Sequence, residues 1–299
     1  MERTVQFTPT RVDDCGEHYV IIGSLGELAK LNQEGKVLGE TAIPLASTIP
    51  CSTAMEDSWI GVWVEAEMRL ARMASLNLAD EWKDGASKRD LRTSLNPMSL
   101  HPKNSRWSHA LDAEPTCVRC IDDGFCFVLR GRGIYRMDSQ ANEIWRSSLP
   151  SVLDGKLRGL ETAISISQYK DSLSIWYDNG LIVDITSDTG LEIDRRSLKI
   201  HERVERVFHS ETSHLLALAG GGFLISDGEH ILDSKSTPGP LSAARENDGV
   251  WEFTGWRFDG RLSNGSLEIS ARDQLGIGFV SDKVLTNDGT LSDFAFTHS

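Results

Sequence analysis

Cys117 and Cys120 stand three positions apart in Cys-Val-Arg-Cys, a spacing used by zinc sites and by thiol–disulfide chemistry. Zinc takes four ligands, and the other cysteines, Cys15, Cys51 and Cys126, form no second pair of this kind. The segment also reads as a β-strand, where positions three apart point to opposite faces. Two structural thiols are the expectation, with a metal or redox role as the alternative. Four of the eight histidines, His201, His209, His214 and His230, crowd into one stretch without His-Glu-x-x-His or any regular metal spacing. They read as ordinary strand and loop histidines, with a clustered acid/base or ligand role as the alternative. Gly131-Arg-Gly133 and Gly220-Gly-Gly222 resemble phosphate loops only on paper, because a strand and not a helix N-terminus follows each. No serine sits in Gly-x-Ser-x-Gly, and no Ser, His and Asp can be given triad roles.

A basic segment at about residues 84–106 stands out more. With its flanks it carries Lys83, Lys88, Arg89, Arg92, Lys103 and Arg106 against Asp80, Glu81, Asp84 and Asp90, on a chain of formal charge −13. Trp82 and Trp107 bracket it, and Pro97 and Pro102 break it, which is loop chemistry. Long loops on rigid scaffolds are common binding elements. Lys88, Arg89, Arg92, Lys103, Arg106 and Trp107 are therefore the candidate partner-binding residues, the alternative being a solvated loop with no partner.

What must position these residues is a repeat. An apolar strand, a tight turn, a second strand and a polar turn recur from Tyr19 to Leu38, from Phe125 to Trp145 and from Leu173 to Ile193. Anchors at Gly26, Met68, Gly133, Gly180, Gly222, Trp256 and Lys283 return about every forty residues, a period that indicates propeller blades. The expectation is a single all-β domain over 1–299, a β-propeller of seven blades or else six. The C-terminal strand, Thr290 to Thr297, is expected to meet the N-terminal segment Thr4 to Val12 in one blade and so remove an open edge. The long Met68–Gly133 interval places the insertion between blades two and three, and the short Trp256–Lys283 interval predicts a blade of three strands. Glu65 to Leu78 fits a helical wheel, but Trp59-Ile-Gly-Val-Trp-Val before it matches other second strands, so it reads as a hairpin. Asp178-Asn-Gly180, Asp122-Asp-Gly124, Asn247-Asp-Gly249 and Asn287-Asp-Gly289 are hairpin turns. Most of the eight tryptophans fall on strands and are expected to pack between blades.

Gly133-Ile-Tyr-Arg-Met-Asp-Ser-Gln-Ala-Asn-Glu-Ile-Trp145 resembles a blade of the quinoprotein-like and WD40-like propellers. Gly26 to Leu38 is similar, with Leu38 in place of the tryptophan, and Gly180 to Ile193 is a third such unit. The resemblance implies a propeller fold, in proteins that serve mostly as interaction platforms and less often as enzymes. It does not carry over cofactor chemistry. The adjacent cysteines and calcium site of the quinone-dependent enzymes are missing, as are the Trp-Asp and Gly-His pairs of WD40 blades.

The acidic balance argues against a protein devoted to sequence-independent nucleic-acid binding, which needs surplus Lys and Arg. No run approaches eighteen apolar residues, and Met1 to Pro9 lacks the apolar core of a signal peptide. Five cysteines without an export signal are expected to be reduced, in the cytoplasm. The expected function is a non-catalytic, cofactor-free scaffold that binds another protein. The alternative is a propeller hydrolase, lyase or small-ligand binder with its site at the mouth of the central channel.

Overall fold

The computed structural model describes residues 2–149 and 162–296. Alternating apolar positions and glycine-bearing turns give seven antiparallel sheets, each a meander whose strands lie in chain order. Blade 1 holds Pro9–Asp14, His18–Gly23, Leu28–Asn32 and Val37–Ala42. Blades 2 to 6 likewise have four strands, running from Thr48–Met55 to Ser105–Leu111, from Pro115–Ile121 to Glu143–Ser147, from Ala163–Tyr169 to Glu192–Ser197, from Val204–His209 to Ile231–Lys235, and from Leu241–Asn247 to Ser266–Ala271. Blade 7 has three, Gly276–Val280, Lys283–Thr286 and Leu291–Asp293. The architecture is a seven-bladed β-propeller. The short blade is the last one; blade 6, where the sequence interval begins, keeps four strands.

Burial follows strand position. Second strands are largely covered on both faces, so His18–Gly23 and Gly124–Leu129 read as nearly continuous apolar runs. Last strands are largely open to solvent, as in Glu192–Ser197. Every first strand also shifts register against the second, for example between Pro9 and Arg11, Ala163 and Ser165, and Val204 and Arg206. The shift recurs in the other four blades. Such bulges bend a strand and raise its twist, so the bend is a repeated element of the blade. The Asn247-Asp248-Gly249 turn has φ of 51° and 78° at its last two residues, the left-handed pair that a tight hairpin demands.

The chain forms two compact units, Met1–Ile144 with Asp288–Leu291, and Trp145–Asn287 with Ser292–Ser299. In the first, Trp59, Trp63 and Leu76 pack with Val20, Ile22 and Leu28 between blades 1 and 2. In the second, Leu215 and Phe223 meet Trp251, Phe253 and Phe258 between blades 5 and 6. Asp259 is buried there and is held by Thr254 Oγ1, Arg272 and the Ala295 amide. The packing role expected of the tryptophans holds for Trp59, Trp63 and Trp176, whereas Trp256 caps a turn and is 57% exposed.

The meeting of the chain ends is narrower than expected. The Thr4 and Val5 amides both donate to the Gly289 carbonyl, at 2.7 and 3.1 Å. Pro9–Asp14 belongs instead to blade 1. Thr297 lies outside the described residues.

Two features of the insertion differ from the sequence reading. It lies inside blade 2, between Leu70–Asn77 and Ser105–Leu111, and not between blades 2 and 3. The reason is that Ser105–Leu111 pairs with Leu70–Asn77 as the last strand of the same sheet. Nor is it a plain loop, for it contains the α-helix Lys88–Thr93 and a 3-10 turn, Pro97–Ser99. Glu65 to Leu78 is the expected hairpin, with a single 3-10 turn at Ala66–Met68.

Candidate functional site

The insertion is fastened at both ends to the segment that leaves blade 1. Gly85 N–H donates to Ile43 O, Ala46 N–H to Ala86 O and Lys103 N–H to Pro44 O, while the Ile43 amide donates to Asp84 Oδ1 at 2.7 Å. Trp82 is buried against Trp59, its ring 6.1 Å away, and its indole N–H donates to Asn77 O. Lys30 Nζ lies 5.0 Å from the Trp82 ring.

Between these anchors Ser87 and Asp90 form a reciprocal capping box that starts the short helix. The hydrogen bonds from Ser87 hold the Asp90 carboxyl below its ordinary range. Leu91 is the helix's one buried residue. The next turn covers Arg72, which is 1% exposed and donates to Pro97 O while its Nε finds no partner. Burial draws the Arg72 guanidinium below its usual range. Asp84, Asp90, Thr93, His101 and Lys103 help to line an open depression of about 570 Å3 in this insertion. His101 is drawn down first by burial and then by the Arg72 charge.

The candidate cations divide into two groups. Arg92 is engaged with Glu67 at 2.7 Å, and Arg106 with both oxygens of Asp57 at 2.7 and 2.8 Å. Trp107 stacks on Phe125 at 5.4 Å and donates to Ser139 O, so it serves the seam between blades 2 and 3. Lys88, Arg89 and Lys103 are exposed and make no ion pair among the described residues. Near them in the chain Leu95 stands wholly in solvent, at 105% relative exposure, and Met98 is 40% exposed. The structure thus adds two apolar residues that the charge-based reading overlooked. Their signal was the Ser-Leu-Asn-Pro-Met stretch, apolar residues within an otherwise polar insertion.

A second constellation joins blades 4 and 5. Ser165 Oγ and His209 Nε2 are 2.7 Å apart, and His209 Nδ1 and His214 Nδ1 are 3.0 Å apart. Trp176 covers His214 edge-on at 4.5 Å. Burial, with the Arg196 charge second and Asp227 opposing, lowers His214 to about 4, so it is neutral near pH 7. His230 lies apart beside Asp227, and His201 is exposed. Of the four histidines noted in sequence, two are brought together. Sequence reasoning missed Ser165, because the three residues come from different strands and two different repeats.

The Cys117/Cys120 pair shares a strand whose partners are Val128 and Phe125 respectively. Burial raises both thiols, and it pushes Cys51 and Cys126 up to about 12. All five cysteines are free thiols, and burial favours the protonated form in these four. Among the described residues, no three of His, Cys, Asp and Glu are grouped to hold a metal.

Seven meander blades with a strand-by-strand burial gradient can be set beside solved structures. The propeller domain of Cps50 (Swd1) from Myceliophteria thermophila superposes with a TM-score of 0.70 at 10% identity, over 96% of this chain and 94% of that one. This chain has the β-propeller fold. The WD40 propeller domain of Doa1 matches it at 0.63 and 10% identity, over 97% and 93%. BamB from Moraxella catarrhalis matches at 0.57 and 10%, over 94% of each chain. No family model matches the sequence, and no curated protein does. At such identities the likeness transfers the propeller fold alone. Among the described residues, no helix of the propeller is long and apolar enough to cross a membrane.

Proposed function

We propose that this propeller is a cytoplasmic protein-interaction scaffold whose docking element is the blade 2 insertion, and that its partner presents an acidic segment with apolar side chains. The observation that carries the reading is the exposure of Leu95 and Met98 in the same insertion as Lys88 and Arg89, which are exposed and make no ion pair among the described residues. An apolar contact ringed by charge is how protein interfaces are built. The backbone beneath is tied to residues 43–46, so docking costs little ordering entropy. Arg92 and Arg106 stand in solvent-exposed ion pairs with Glu67 and Asp57, and Trp107 packs on Phe125 at the seam of blades 2 and 3. The free thiols fit a reducing compartment.

The test compares proteins captured by the wild-type chain with those captured by Leu95→Asp/Met98→Asp and by Lys88→Glu/Arg89→Glu. One partner should fall at least about tenfold with both variants, the charge reversal giving the steeper salt dependence. A partner retained equally by all three overturns the assignment of the insertion.

A hydrolase reading has one observation behind it, the Ser165–His209 contact at 2.7 Å. The third member opposes it. His209 Nδ1 meets a neutral imidazole where a Ser-His-acid triad places a carboxylate. Absence of fluorophosphonate labelling at Ser165 is the expected result.

A further inference from the structure

Blade 6 ends in an unguarded edge. Its last strand, Ser266–Ala271, reads Ser-Leu-Glu-Ile-Ser-Ala and pairs with Phe258–Ser263 along its whole length without a register shift. Last strands elsewhere carry the devices that keep a sheet edge from pairing with another chain. Those of blades 1, 2, 4 and 5 shift register against the strand beside them. Blade 3 ends in a strand that contains Glu143 and Arg146, and the last strand of blade 7 has only three residues. Ser266–Ala271 has one charge, Glu268, which Arg261 of the neighbouring strand holds at 2.8 Å.

The ladder fixes which backbone groups face outward. Arg272 N–H donates to Arg257 O at 2.9 Å, in register with the strand pair, so every second residue back from Arg272 bonds inward. Ser270, Glu268 and Ser266 therefore turn their N–H and C=O groups toward Phe258–Ser263. Leu267, Ile269 and Ala271 turn theirs outward, where they meet no backbone partner among the described residues. Ile269 and Ala271 are also exposed.

We propose that this edge pairs with the same edge of a second copy of the chain, antiparallel and centred on Ile269. A two-fold contact must be self-complementary, and this strand is so in one register. Centring on Ile269 sets that residue against its counterpart, Leu267 against Ala271, and Glu268 against Ser270. No other register satisfies the outward N–H and C=O groups of all three residues within the strand. Centring on Glu268 would set two carboxylates directly opposite, which is destabilising, whereas centring on Ile269 sets each carboxylate against a hydroxyl. The Glu268–Arg261 pair leaves no uncompensated charge along the seam. One strand pair is a small interface, so the dimer is weak and depends on concentration. The edge belongs to blade 6, so this pairing is independent of the blade 2 insertion.

Sedimentation velocity on the full chain, from about 1 to about 300 µM, should show monomer giving way to dimer. Ile269→Lys and Ile269→Asp each set like charges against each other at the two-fold axis. Each alone should weaken dimerisation at least about tenfold, and an equimolar mixture of the two should restore it. Residue-resolved amide exchange gives a second readout. From dilute to concentrated protein, exchange at Leu267, Ile269 and Ala271 should slow at least about tenfold, while Glu268 and Ser270 stay protected throughout. A chain that is monomeric over the whole range, a mixture no better than either variant, or a dimer that leaves the outward amides unprotected overturns the proposal. Should the Ile269 variants fail to fold, Ala271→Pro decides, because it removes an outward N–H and no bond within the blade. It should weaken dimerisation at least about tenfold, and dimerisation unchanged by it refutes the pairing.

Discussion

His214 shows how one residue ties packing to solution conditions. Its ring is enclosed by Trp176 and bonded to His209 through the two Nδ1 atoms. One Nδ1 must donate and the other accept, so the pair tolerates one proton between those atoms and is broken by two. With a native value near 4 against the ordinary 6.5, the unfolded chain takes up a proton first as the pH falls. The stabilisation is therefore complete above about pH 6.5, declines below it, and is gone by about pH 4. Allowing for solvent at the ring edge, the loss is about 2 kcal/mol. The free energies of unfolding from urea titrations at pH 7.5 and pH 4.5 should differ more for the wild type than for His214→Gln by about that amount. Equal differences would mean that the ring does not stay neutral in the native state. The sequence placed His209 and His214 in one histidine-rich stretch, but not Ser165 or Trp176, because chain order says little about which side chains face across a blade seam.

At the scale of elements, local chemistry was readable and its location was not. Hairpin turns such as Asn247-Asp248-Gly249 are legible because positive φ is a property of the residues themselves. The hairpin at Glu65 to Leu78 was legible because Trp59 to Val64 matched another repeat's strand. The insertion was assigned to the wrong junction because Ser105–Leu111, half exposed and rich in Ser, His and Arg, gives a weak strand signal, and only pairing with Leu70–Asn77 makes it blade 2's last strand. Its helix was missed since six residues hold a single buried apolar side chain. That same Leu91 now becomes a test. Leu91→Ala removes the helix's only core contact and should cost about 2–4 kcal/mol locally. Hydrogen exchange should accelerate at amides 87–100 while those of Trp59 to Val64 and Ala71 to Leu76 keep their protection. Equal acceleration in the blade strands would show that the insertion is a structural part of blade 2 and not an accessory on it.

For the whole molecule, the repeat was enough to give an all-β propeller of seven blades or six, since a period of about forty residues admits few other architectures, and the seven sheets decide for seven. What the repeat leaves open is how the chain's two ends are held, and the structure puts that on the Gly289 carbonyl, which accepts from both Thr4 and Val5. Gly289 has φ 83°, and a Cβ there would overlap the Val5 carbonyl oxygen. Gly265 has φ 75° with nothing near its missing side chain. Both positions penalise alanine through the backbone by about 1 kcal/mol, but only Gly289→Ala also displaces the N-terminal segment. Gly289→Ala should therefore lower stability by about 1–2 kcal/mol more than Gly265→Ala, read as a few degrees in Tm. Deleting residues 2–6 removes the obstacle, and in that background the two substitutions should cost the same. The cycle isolates the junction, because backbone strain is common to both glycines and cancels. If Gly289→Ala keeps its excess cost after the deletion, the ends are held by something other than Thr4 and Val5. If it shows no excess in the intact chain, the junction contributes nothing to stability.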